Sequence, residues 1–109
     1  MAGSRGGSSG KHSILLLQQT ASLESRTYCD HESVQAAVAH ILYAFEERQR
    51  AKHQGKPFSY ESTDLLQYVD SLHDVSLLVF EANIKAYVPY DRKWIKDKLY
   101  MMLSNQQRR

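Results

Sequence analysis

The stretch HSILLLQ, residues 12 to 18, decides how the rest of the chain reads. Four aliphatic residues between polar ends are too few for a helix of ordinary length and suit a strand. Side chains alternate along a strand, so Ile14 and Leu16 point to one face and Leu15 and Leu17 to the other. Both faces are therefore apolar. VSLLVFE, residues 75 to 81, repeats the pattern, with Val75, Leu77 and Val79 opposed to Leu78 and Phe80. An antiparallel sheet with one wet side alternates apolar with polar. These strands do not, and the sheet they build needs cover on both sides.

Working outward, Gln19 to Ser25 reads as a loop and Arg26 to Tyr28 as a second, short strand. Asp30 is expected to cap a long helix over residues 30 to 53, with Glu32 at its positive end. Val34, Ala37, Val38, Ile41, Leu42 and Phe45 recur at three and four residue steps and form its buried stripe. Arg48, Arg50 and Lys52 complement its carbonyl end, and Gly55 with Pro57 stops it. Ser62 or Thr63 caps a shorter helix to about Leu72, with Leu65, Leu66, Val69 and Leu72 on one side. Asn83 and Lys85 supply turn chemistry between the 75 to 81 strand and a partner at Ala86 to Pro89. Asp91 caps the last helix, Tyr90 and Ile95 are placed as a hydrophobic staple, and Ile95, Leu99, Met102 and Leu103 face inward.

The order strand, strand, helix, helix, strand, strand, helix defines an α+β domain, an antiparallel four-stranded sheet with three helices on one face. Helices on one side leave the other side bare unless one of them crosses over. At roughly 25 cal/mol per Å², hiding ~500 Å² of apolar surface is worth on the order of 12 kcal/mol before association costs. A second copy meets that need with one self-complementary surface, so a homodimer through the sheets is expected. Its interface is assigned to Ile14, Leu16, Leu77 and Val79.

The 109 residues, 42% apolar, allow one domain, drawn at 12 to 105. Residues 1 to 11 read as a flexible Gly/Ser-rich tail and 106 to 109 as a polar C-terminal tail. A net charge of +2 is too small to predict wrapping of nucleic acid or attachment to acidic lipid. The single cysteine, Cys29, excludes an internal disulfide framework and any CxxC pair, which fits a reducing, intracellular compartment. The longest strictly aliphatic run, Ile14 to Leu17, is too short for a membrane span.

Chemistry is sparse. The histidines at 12, 31, 40, 53 and 73 show no i, i+4 or i, i+2 spacing and read as scattered surface residues. His73 beside Asp74 lacks a nucleophile elbow, and Cys29, though it precedes a helix start, lacks a base. Glu46 and Glu47 diverge on their helix, and neither GxGxxG nor a phosphate loop occurs. No catalytic, cofactor or metal residue is assigned, and no small-molecule substrate is expected. Arg92, Lys93, Lys96 and Lys98 cluster near Trp94 and Tyr90, a mixture that single-stranded RNA prefers, which supports direct RNA binding as a second reading. Arg92 and Lys93 also sit at a helix N-terminus, where cations are unfavourable, and this mismatch points to an acidic partner. Tyr87, Tyr90, Arg92 and Lys93 are accordingly the candidate partner contacts.

From His12 to about Gln107 the chain resembles the enhancer of rudimentary family. The resemblance rests on HSILLLQ at 12 to 18, ESRTYCDHESV at 24 to 34, LLQYVDSLHDVSLLVF at 65 to 80 and YVPYDRKWIKDKLYMML at 87 to 103. It implies the same element order and a dimer to which the first strand contributes, which carries over onto Ile14 and Leu16. It further implies a non-catalytic adaptor whose hydrophobic grooves take short segments of RNA-processing proteins, in splicing, mRNA elimination or small-RNA biogenesis. Contact with RNA is then mainly indirect, and the compartment is the nucleus. The family name records a link to pyrimidine synthesis, from which regulation of nucleotide metabolism is a third reading. The chain departs from the family pattern at Gln19, Cys29 and His31 and in the alanine-rich run QAAVAHILYAF. These departures leave roles in cell division or chromosome segregation, and cytoplasmic or perinuclear residence, equally open. Thr27 keeps an acidic residue three positions on, Asp30, and is the candidate phosphorylation site.

Overall fold

A computed structural model describes residues 10–107, in the order β1 Ser13–Gln18, β2 Arg26–His31, α1 Val34–Lys52, α2 Ser62–Ser71, β3 Asp74–Glu81, β4 Ala86–Tyr90 and α3 Arg92–Gln107. The strands form one antiparallel sheet in the order β2-β1-β3-β4. This is the α+β architecture with four strands and three helices that the sequence predicts.

The register explains how the core is built. Leu15 lies opposite Leu77, Leu17 opposite Val75 and Ser13 opposite Val79, so these residues share one face of the sheet. All six are at most 5% exposed. The five apolar ones pack with Ala37, Val38, Ile41 and Phe45 of α1, Leu65 and Val69 of α2, and Ile95, Leu99 and Leu103 of α3 in a single cluster. The stripes of all three helices therefore lie on the same side, and none crosses over.

The intervening residues form the other face. Ile14 is opposite Leu78, and Phe80 is opposite Tyr87. Ile14, Leu16 and Phe80 are only half-buried, and Leu78 and Tyr87 are exposed. The expected interface residues Leu77 and Val79 are corrected on this evidence. They are 1% and 2% exposed beneath the helices, because the pleat gives them the face of Leu15 rather than that of Ile14.

Several element boundaries also differ. β2 continues to His31 because β1 still offers a partner there, with Ser13 opposite His31. Asp30 is thus inside a strand, and the cap of α1 is Ser33, whose Oγ accepts from the Ala36 N–H at 3.0 Å. At α2 the cap is Glu61, which forms a capping box with Asp64, while Ser62 is the first helical residue. Asp91 caps α3 as expected, its Oδ1 accepting from the Trp94 N–H at 3.0 Å. α1 ends at Lys52 with His53 as its C-cap, after which Gln54 and Gly55 take positive φ values of 56° and 79° and turn the chain away. α3 extends to Gln107, into the segment expected to be a tail, since Ser104 to Gln107 holds no glycine or proline to stop it. At the other end Lys11 is tied to Glu81 by an ion pair of 3.1 Å, and the rest of the expected N-terminal tail, residues 1–9, lies outside the described residues, as do residues 108–109.

Candidate functional site: a bare sheet face and an interhelical groove

Two surfaces stand out, on opposite sides of the sheet. The first is the face without helices. Its middle is Ile14 and Leu16 of β1 and Leu78 and Phe80 of β3, flanked by Tyr28 of β2 and by Tyr87 and Pro89 of β4. Tyr28 is 65% exposed, Tyr87 40% and Leu78 37%. A polar rim surrounds this patch. At one end the His12 Nδ1 lies 2.7 Å from the Tyr87 hydroxyl, and its Nε2 is 3.8 Å from the Asp30 carboxylate. At the other end the Arg26 Nε donates to the side-chain Oε1 of Gln18 at 2.9 Å. Contiguous apolar surface inside a polar rim is the composition of an interaction face.

The second surface is a groove of about 300 Å³ between the start of α1 and the end of α3. Val34, Val38, Met101 and Met102 line its apolar part, and Gln35, Lys98 and Asn105 its polar edge. Methionine side chains adapt to irregular apolar partners. The sequence reading missed this groove, because Met101 sits outside the regular stripe of α3 and the pairing of the two helices is not visible in either alone.

The candidate partner contacts separate. Tyr87 lies on the bare face, whereas Tyr90 lies on the helix side, stacked on Trp94 with ring centroids 4.1 Å apart. Arg92 turns back to α2, where its Nη1 donates to the carbonyls of Val69 at 2.8 Å and Leu72 at 2.9 Å. Its charge at the start of α3 is accounted for by the carbonyl end of α2. Lys96 pairs with Asp70 at 2.9 Å, Lys93 with Asp97 at 3.4 Å, and Lys98 lies over the Trp94 ring at 5.0 Å. The four cations are thus distributed among intramolecular partners, and Tyr87, Tyr90, Arg92 and Lys93 do not make one surface. Thr27 is exposed on the edge strand β2, and its hydroxyl donates to the Leu17 carbonyl at 3.1 Å.

Two histidines nine residues apart in sequence meet. The His31 Nε2 and the His40 Nδ1 are 3.0 Å apart, joining the end of β2 to α1. Burial, and then the neighbouring His40 ring, hold the His31 pKa below its ordinary value, while Asp30 acts in the opposite direction. No group of three or more His, Cys, Asp or Glu residues that could hold a metal ion occurs among the described residues. No helix among them is long and apolar enough to cross a membrane.

A four-stranded antiparallel sheet with all three helices packed on one face defines the class, a small α+β domain. The sequence matches the Enhancer of rudimentary family over residues 9–109, and the chain belongs to that family. It is 38% identical over 93 residues to Protein enhancer of rudimentary of Drosophila virilis, covering 84% of this chain and 89% of that protein. It is 40% identical over 89 residues to the Enhancer of rudimentary homolog of Dictyostelium discoideum, covering 81% and 89%. Against the Arabidopsis thaliana homolog the identity is 38% over 93 residues, covering 84% and 85%.

Proposed function

We propose that this protein is a non-catalytic homodimeric adaptor that joins through its bare sheet face and holds short segments of RNA-processing proteins. The observation that carries the reading is the uncovered apolar face around Ile14, Leu16, Leu78 and Phe80, opposite a core that already uses all three helices. A two-fold axis covers this face with itself and presents every other surface twice. The groove between α1 and α3 is then repeated on the dimer and is the site for apolar anchors of partner segments, which gain affinity by folding as they bind. The partners, in mRNA splicing, elimination or small-RNA biogenesis, and nuclear residence follow from the family resemblance, and RNA is engaged through those partners.

The test is the pair of substitutions Ile14→Arg and Leu16→Arg, which buries like charges at the centre of the proposed contact. Sedimentation of the double variant as a folded monomer, with loss of partners that the wild type retains, is the expected result. Dimers that persist in the double variant would overturn the reading.

A further inference from the structure

We propose that His31 and His40 form a chelating pair for a divalent transition-metal ion with right-angled coordination, of the nickel(II) or copper(II) type. The two rings come from different elements, are half-buried, and present the His31 Nε2 and the His40 Nδ1 to one another at 3.0 Å. Their planes are inclined at 76° with centroids 5.1 Å apart, so each ring leaves its other nitrogen away from the contact. Metal–imidazole bonds of about 2.0–2.1 Å spanning this separation subtend about 91–97° at the ion. A tetrahedral ion would need the nitrogens about 3.3 Å apart, whereas adjacent positions of a square or tetragonal sphere match the observed spacing.

A neutral imidazole carries one N–H and one lone pair, so each ring can offer one nitrogen to a metal ion. In the unliganded pair one N–H bridges to the other nitrogen. On metal binding that proton moves, through solvent, to the far nitrogen of the same ring, the His31 Nδ1 or the His40 Nε2. Both rings then donate a lone pair, and no net proton is released. Since no third His, Cys, Asp or Glu joins them among the described residues, water completes the coordination sphere. The bound ion bridges the end of β2 to α1, and this site stands independently of dimer formation.

The test titrates the full chain with nickel chloride near pH 7.5, nickel being chosen because it does not oxidise Cys29. The expected result is one ion per chain by calorimetry, with a melting temperature raised by several degrees. His31→Gln and His40→Gln should each remove this binding, and His12→Gln should retain it. In wild-type protein, with no substitution to disturb folding, nitrogen NMR should show the His31 and His40 ring signals broadening before those of His12, His53 and His73. Absence of binding, binding undiminished in His40→Gln, or broadening that starts at another histidine would overturn the proposal.

Discussion

Ile14 lies directly opposite Leu78 across β1 and β3, and the side of the sheet they share carries no helix. One residue further along, Leu15 and Leu77 are opposed in the same way but sit beneath all three helices. Neighbouring positions in one strand therefore have different work. Replacing Leu77 by alanine opens a cavity in the core and is expected to cost about 2–5 kcal/mol in urea unfolding. Replacing Leu78 by aspartate leaves that core intact. It is expected to shift the sedimentation coefficient toward the monomer while the helical circular dichroism is unchanged. A folded Leu78→Asp protein that still sediments as a dimer would exclude this face from the contact.

Arg92 is expected to behave as a structural residue. Its Nη1 donates to the carbonyls of both Val69 and Leu72, tying the start of α3 to the carbonyl end of α2. Arg92→Met should lower unfolding stability by about 1–3 kcal/mol, the loss of hydrogen bonds from a charged donor. Lysine should recover part of the loss, because both bonds leave from one nitrogen and an ammonium also carries several donors on one nitrogen. A stability equal to wild type in Arg92→Met, measured by denaturant unfolding, would remove this role.

Much of this architecture was legible in the chain, and the parts that were not share a physical reason. The runs around Leu15 and Leu77 announced strands with two apolar faces, and the spacing from Val34 to Phe45 announced α1, because both signals are local periodicities. Which face of β3 joins Ile14 depends on pairing register, a property of two strands, and Leu77 was assigned where Leu78 belongs. Cys29, Asp30 and His31 have no strong strand preference, and only pairing with β1 draws them into the sheet. Arg92 looked like a mismatch for the same reason, its partners being 20 and 23 residues away. The groove and the histidine pair likewise arise where separate elements meet.

Acid should loosen the contact between β2 and α1. The His31 pKa is lowered in the folded state by burial and by the His40 ring. As pH falls through the ordinary value of 6.5, the unfolded chain takes up this proton before the folded one does. Stability contributed by neutral His31 is therefore complete above that value and declines below it, until the folded pKa is passed. Urea unfolding at pH 7.5 and 5.5 should show a smaller acid loss in His31→Gln than in wild type. Equal losses would mean that other groups set the acid response.

Tyr60 should govern the opposite end of the pH range. Its hydroxyl donates to the Glu46 carboxylate at 2.7 Å, and its ring meets Phe45 edge-on at a centroid distance of 4.9 Å. Burial, and then the bond to Glu46 and its charge, raise the Tyr60 pKa strongly above the usual 10.0. Ionisation would place a phenolate against a carboxylate, so the folded protein resists it. Above pH 10 the unfolded chain releases this proton while the folded chain retains it, and stability declines with rising pH. In an ultraviolet phenolate titration of native protein, the contribution of Tyr60 should be missing until the protein unfolds. Tyr60→Phe should abolish this shortfall, and it leaves the Glu46 carboxylate without its donor, at a cost of about 0.5–1.5 kcal/mol in neutral solution. Full ionisation of all seven tyrosines near the ordinary value, with the fold intact, would show that the Glu46 contact does not persist in solution.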